Sequence, residues 1–171
     1  MEYTISGEQE DYESDVVNFS TKKGKKIPVN ISLNLRPLIR DNQIVINPIR
    51  FDYDKFDIRE DAEYELEKIV SILKRHTDIV IKIASHTDAR GKSSYNRLLS
   101  DRRAKATRKY IISRGIAANR IKSAIGYGES DLLNECDEPN LNRCTDEEHQ
   151  LNRRSYFYIV KGNGAVRTEN N

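Results

Sequence analysis

The chain is defined first by what it lacks. No apolar run approaches the roughly 20 residues that a membrane helix needs, so nothing is expected to span a bilayer as a helix. Met1 is followed by Glu2, Tyr3 and Thr4 and then by an acidic run from Glu8 to Asp15, without the basic start and apolar stretch of a secretory signal. The expectation is a cytosolic protein or a piece of a longer exported chain. Neither charge dominates: 29 Lys+Arg stand against 27 Asp+Glu for a net charge of +2, too near balance to make nucleic acid the default partner. A Gly-rich phosphate loop, a nucleophile elbow and the His-Glu-x-x-His zinc signature are all missing, which leaves little case for an enzyme. No cofactor is expected.

Cysteine is scarce, with only Cys136 and Cys144 in a polar stretch. In an oxidising compartment they would close a small disulfide loop. A free thiol pair is a second reading. A zinc site with His149 is a third, but these residues leave a tetrahedral shell incomplete. Asp52, Asp54 and Asp57 look like a calcium run without the Gly and terminal Glu of a calcium hand, and read as turn residues and caps.

What is present is apolar periodicity. Residues 1–36 read as a β-hairpin, with Val16, Val17 and Phe19 in one strand and Val29, Ile31, Leu33 and Leu35 alternating in the other about a turn at Thr21–Lys26. An isolated hairpin is marginal, so this segment is expected to be the end of an upstream β-rich module or to lean on the main domain. Residues 37–43 are the expected linker, 44–161 the main domain and 162–171 a polar tail.

In the main domain, a strand at Ile44–Phe51 precedes a helix capped by Asp57, with a stripe of Ala62, Leu66, Ile69, Val70 and Leu73. Ile79–Ala84 is a mostly apolar strand, expected to be central and covered on both faces. A helix over Tyr95–Arg114 follows, then strands at Arg120–Gly126 and Arg154–Val160. The order β-α-β-α-β-β predicts an α/β sandwich with a mixed sheet and its helices on one face.

The second helix carries an anomaly. On a helical projection from Leu99, Arg103 falls about 40° away, inside the arc set by Ala106, Tyr110, Thr107, Ile111 and Ala104. Asn96 shares that side, while Arg102, Lys105, Arg108 and Lys109 lie away from it. A guanidinium on a packed face needs an anion and several acceptors. One reading is a private salt bridge to Asp88, in the loop that ends the central strand. The other is a cleft in which Arg103 receives an external carboxylate or phosphate through its planar fork. With Asp88 for an ammonium and Arg103 for a carboxylate, such a cleft would suit a zwitterion.

The motifs His86-Thr-Asp-Ala-Arg-Gly91, Tyr95-Asn96, Leu99-Ser100, Arg103-Ala104, Gly115-Ile116, Arg120-Ile121, Gly126-Tyr-Gly-Glu129 and Asn152-Arg-Arg154 together resemble the OmpA-like peptidoglycan-binding domain. Phe51-Asp-Tyr-Asp-Lys-Phe-Asp-Ile58 resembles that family's opening strand and loop, and the match covers about residues 44–161. The resemblance implies a non-enzymatic periplasmic module that grips the diaminopimelate of the peptidoglycan stem peptide and ties an outer-membrane or envelope protein to the wall. By motif position, Asp88 would take the ammonium and Arg103 the carboxylate. Asn96 would support the site, Arg153 would flank it, and Tyr53 and Asp54 would border it, with His86 shaping the loop. The acidic loop Glu129–Gln150 departs from the common pattern. Its likeness to Cys-bearing loops of long envelope proteins implies a carboxypeptidase-regulatory-like β module upstream, and type IX secretion as one anchored partner.

Overall fold

The computed structural model describes residues 2–21, 31–40 and 43–162. The elements are β1 (Glu2–Gly7), β2 (Tyr12–Glu13), β3 (Asp15–Ser20), β4 (Arg36–Pro37), β5 (Ile39–Arg40), β6 (Gln43–Arg50), α1 (Glu60–Arg75), β7 (Val80–Ser85), α2 (Ser93–Ser113), β8 (Ile121–Gly126), α3 (Asp146–Asn152) and β9 (Arg154–Lys161). Five strands form one sheet in the order β5-β6-β9-β7-β8, with only β7 and β8 parallel. The last strand therefore fills the gap that the β6-α1-β7 crossover leaves, a split arrangement that makes the sheet mixed. This is the expected α/β sandwich: α1 packs on β6, and α2 on β7 and β8.

The α1 stripe is as the periodicity predicts. Ala62, Leu66, Ile69, Val70 and Leu73 are all buried against Ile44, Ile49, Ile81, Phe157 and Ile159 of the sheet. The helix starts later than expected, with Arg59 rather than Asp57 as its N-cap and no side-chain cap. The Arg59 guanidinium bonds Asp52 (2.5 Å) and Asp61 (2.8 Å), which holds the chain extended up to that residue. Glu60, Asp61 and Glu63 then supply negative charge in the first turn.

Strand β7 is interior, between β9 and β8, but the helices cover one of its faces only. Ile81 and Ile83 point into the core, whereas Lys82 is exposed on the opposite face beside Tyr158 and Val160. An apolar run marks a central strand, and here it does not mark a second helical layer.

Of two N-terminal expectations, one lies largely outside the described residues and the other needs correction. Strand β3 pairs antiparallel with β1, from Glu2↔Ser20 to Gly7↔Asp15, a partner that the alternation of residues 1–36 did not single out. The Lys-rich turn and Val29 lie largely outside the described residues, and residues 31–35 join no ladder. Asp11 makes the β1–β3 reversal, with a left-handed φ of 62°. Its carboxylate is fixed by His76 at 2.7 Å and Arg75 at 3.3 Å. Nor is the stretch from Pro37 to Gln43 a free linker: Leu38 and Ile39 are buried in the main core, and β5 is the edge strand beside β6.

One glycine sets how closely the layers meet. A Cβ at Gly126 would lie 2.0 Å from the Asp101 backbone nitrogen, so α2 crosses the end of β8 in direct backbone contact. Two residues on, Gly128 donates its N–H to Ser100 Oγ (2.8 Å) and accepts from Thr87 N (2.9 Å). The ends of β7 and β8 and the first turns of α2 are thereby fastened together, and the site lies there.

Candidate functional site

The loop 86–91 leaves the carboxyl end of the central strand β7, where open α/β sheets gather binding residues. Opposite it, α2 turns Asn96, Leu99, Ser100 and Arg103 inward. A cavity of about 170 Å³ lies between them, and all six residues expected to bind ligand line it: Tyr53, Asp54, Asp88, Asn96, Arg103 and Arg153. Thr87, Arg90, Gly91, Tyr95 and Leu99 complete the wall.

Arg103 is wholly buried, yet it takes no carboxylate. Its Nε donates to Lys55 O (2.8 Å), Nη1 to His86 O (3.2 Å) and Nη2 to Asp52 O (3.0 Å), while the group lies 5.0 Å from the Phe51 ring centre. The private bridge to Asp88, one of the two readings of this arginine, is not formed: Asp88 bonds Arg90 and Arg153 instead. Carbonyl dipoles orient the guanidinium without neutralising it. Burial and then the neighbouring Arg153 push its pKa down to about 10, with Asp88 pulling the other way. A guanidinium has five N–H donors, so two remain for a partner.

Asp88, 3% exposed, is engaged by other cations. Its Oδ2 accepts from Arg90 Nη2 (2.9 Å) and Arg153 Nη1 (2.7 Å), and its Oδ1 from the Arg90 backbone N–H (3.1 Å). Burial works to raise the Asp88 pKa, but the bonds from Arg90 and Arg153 outweigh it and hold the carboxyl below its ordinary value. An acid so held stays ionised near neutral pH and is poorly suited to proton transfer. The cavity wall therefore carries three guanidiniums against the carboxylates of Asp88 and Asp54. Three buried polar atoms of the wall residues, Thr87 Oγ1, Arg90 Nε and Asn96 Nδ2, find no partner among the described residues, and buried groups of this kind normally have one.

The rim is more exposed. Asp54 adopts a left-handed φ of 57°, and its Oδ1 accepts from the Tyr95 hydroxyl at 2.5 Å. Tyr53 lies under the Arg90 guanidinium, 4.5 Å from ring centre to Cζ.

Cys136 and Cys144 are joined in a disulfide, which removes the thiolates that the zinc reading needs. His149 is buried in the same loop and bonds Leu141 O (3.2 Å). A capping box between Thr145 and Glu148 starts α3, which carries the loop back to the site. Asp146 pairs with Arg90 (2.8 Å), and Gln150 Nε2 donates to Phe51 O (3.1 Å). Arg153 Nε donates to the same carbonyl (3.2 Å), and its Nη2 to Gln150.

His86 stays out of the cavity, as expected. Its ring stacks 5.6 Å from that of Tyr127, and burial together with Arg154 drives its pKa down to about 4. Arg90 and Tyr95 are the site residues that sequence reasoning left without a role. Their signal was position: Arg90 lies two residues past Asp88 in one turn, and Tyr95 directly precedes Asn96.

The sheet, the one-sided helices and a charged, partly unsatisfied cavity at the strand ends define a small binding module of the α/β sandwich class. The family model described as "OmpA family" matches residues 50–144, and the chain belongs to that family. It is 40% identical over 90 residues to the peptidoglycan-associated lipoprotein of Rhizobium meliloti, covering 53% of this chain and 51% of that protein. It is 28% identical over 147 residues to outer membrane porin F of Pseudomonas aeruginosa, covering 84% of this chain and 40% of the porin. The chain thus spans about half or less of these relatives. The crystal structure of the peptidoglycan-associated lipoprotein from Burkholderia pseudomallei superposes with a TM-score of 0.54 at 25% identity, over 66% of this chain and 87% of that one.

Proposed function

We propose that the cavity binds the diaminopimelate of a peptidoglycan stem peptide and so anchors an envelope protein non-covalently to the cell wall. The observation that carries this reading is Arg103, a wholly buried cation that faces a cavity and has no carboxylate partner among the described residues. A ligand carboxylate would supply the missing charge and accept the two spare N–H groups, while the ligand ammonium would go to Asp88. The unpartnered Thr87 Oγ1 and Asn96 Nδ2 offer further polar contacts. The lipoprotein relatives are named for association with peptidoglycan, which supports the wall as the target. The rival reading, a purely structural domain, loses the Asp88–Arg103 bridge as its support, because Asp88 bonds Arg90 and Arg153 and Arg103 bonds only carbonyls.

Each such contact is weak, and many along one polymer give strong retention. The finer reading places the chain in the periplasm at the outer membrane, where a disulfide is stable. Residues 1–36 would belong to an upstream β module. Ile5 and Val16 of its hairpin are left exposed, as they would be if its sheet partners were elsewhere. Type IX secretion as the anchored partner rests on the resemblance of the Cys-bearing loop, and co-purification of the full envelope complex tests it.

The deciding experiment is sedimentation with purified sacculi of the wild type, Asp88→Ala and Arg103→Ala, with thermal melts in parallel. Wild type in the pellet and both folded variants in the supernatant is the expected result. A wild type that stays in the supernatant sinks the reading.

A further inference from the structure

Asp88, the proposed ammonium receptor, is already occupied. Arg90 and Arg153 both donate to its Oδ2, so an arriving ammonium would be a third cation on one carboxylate. The ammonium would compete with two guanidiniums for the acceptor capacity and the single charge of Asp88, and the two are held very differently. Arg153 is 5% exposed and is pinned by Phe51 O and Gln150. The Arg90 side chain is 26% exposed, has no partner at Nε and stacks on the exposed Tyr53. Its Nη1 already bonds a second carboxylate, Asp146 at 2.8 Å, on the first turn of α3. Gly91 follows it, with a left-handed φ of 100°.

We propose that Arg90 is a built-in competitor of the ligand, a tethered guanidinium that fills the cation position on Asp88 until an ammonium displaces it onto Asp146. This rests on the wall-peptide reading and adds the determinant of its selectivity. A simple amine gains only what Arg90 gives up. A ligand that also places a carboxylate on Arg103 gains an interaction no protein group supplies, so the cavity selects for the two charges together. The Cys-bearing segment takes part because Asp146, two residues past Cys144, opens α3. Arg90 acts here as a positioning residue, and the competent fraction of the site sets the apparent affinity.

Calorimetric titration of the full 171-residue chain with meso-diaminopimelic acid tests this, with 1,5-diaminopentane as the amine lacking carboxylates. Arg90→Ala should bind diaminopimelate about three- to fivefold more tightly, the range expected for removing a partly exposed ion pair. Asp146→Asn should weaken binding by a similar factor, because Arg90 then has only Asp88. The double variant should match Arg90→Ala, since without Arg90 the Asp146 carboxylate has nothing to receive. Diaminopentane should give no measurable heat with the wild type. An Arg90→Ala protein that binds no better than wild type, or more weakly, overturns the inference and leaves the wall-peptide reading standing. If Arg90→Ala does not fold, Asp146→Asn decides, because its carboxylate is exposed and its loss spares the core; unchanged affinity there overturns the inference. A wild type that binds neither diaminopimelate nor sacculi overturns both.

Discussion

Two arginines of this domain are buried to the same extent, Arg103 on α2 and Arg154 at the start of β9, and their surroundings differ chiefly in counter-charge. Arg154 bonds Asp131 through both its carboxylate (3.0 Å) and its carbonyl (2.9 Å), reaches Asn152 O (3.3 Å) and lies 4.9 Å from the Tyr156 ring centre. Arg103 has three carbonyls and an aromatic ring but no carboxylate. His86 stands between the two regions, giving its carbonyl to Arg103 while its ring sits close to Arg154. Burial is the same in both, so burial alone does not distinguish a structural arginine from a binding one. The missing counter-charge does, because desolvating an uncompensated cation is expensive unless something outside the chain completes it.

The largest expected effect is on binding. Arg103→Ala should weaken diaminopimelate binding about a hundredfold, within the range for removing one member of a desolvated, hydrogen-bonded charge pair. Its stability should change less, because the three lost carbonyl bonds are offset by removal of an unpaired buried charge. Arg154→Ala should do the reverse. Losing its bonds and packing is expected to lower unfolding stability by about 2–4 kcal/mol in urea titrations, with sacculus binding of the folded fraction unchanged. If both variants lose stability equally and Arg103→Ala still sediments with sacculi, the two regions are alike and the comparison is broken.

The sequence makes one of these arginines visible and hides the other. Arg103 falls in the apolar arc of an amphipathic helix, where a charge stands out against a 3.6-residue period. Arg154 opens a strand of period two, which says nothing about which polar group meets it. Its partner Asp131 lies across the disulfide loop, a contact only the tertiary fold creates. The same limit hid the release of Asp88 from Arg103 to Arg90 and Arg153. In the α1 stripe, by contrast, every apolar position faces the core because local period and burial agree. The β1–β3 pairing is hard to read from the sequence because more than one alternating segment could pair with Val16–Phe19, whereas the reversal at Asp11 is held from the helical layer by His76 and Arg75.

A pH titration sharpens the contrast from the Arg154 side. The folded protein keeps His86 neutral down to about pH 4, whereas the unfolded chain protonates it from about 6.5. Between those values the unfolded state binds more protons, so stability falls as pH is lowered through the window and levels off below it. One proton gives a slope of at most about 1.4 kcal/mol per pH unit. Urea midpoints of wild type and His86→Gln across this range isolate the contribution, and the variant should show the shallower slope. Asp88 acts separately and lower: its depressed pKa means that its stabilisation is present above the unfolded value of 3.8 and is lost below it. Equal slopes for wild type and His86→Gln would remove His86 as the link between the two regions.

The smallest effect is expected at the rim. The Tyr95 hydroxyl donates to Asp54 at 2.5 Å and both residues are exposed, so this bond competes with water, whereas the bonds under Arg103 do not. Tyr95→Phe keeps the ring and removes only the donor. The loop that carries Tyr53 and Asp54 remains tied from below, because Arg103 holds the carbonyls of Asp52 and Lys55. The expected result is an unchanged melting temperature and a two- to threefold loss of diaminopimelate affinity, a rough range for one exposed hydrogen bond. The loss should appear as faster dissociation, since the hydroxyl steers nothing from a distance. A loss of tenfold or more would mean that the rim holds the ligand as firmly as the floor. The distinction between Arg103 and Arg154 would then lie in the loop that Arg103 supports, and the missing carboxylate would no longer explain it.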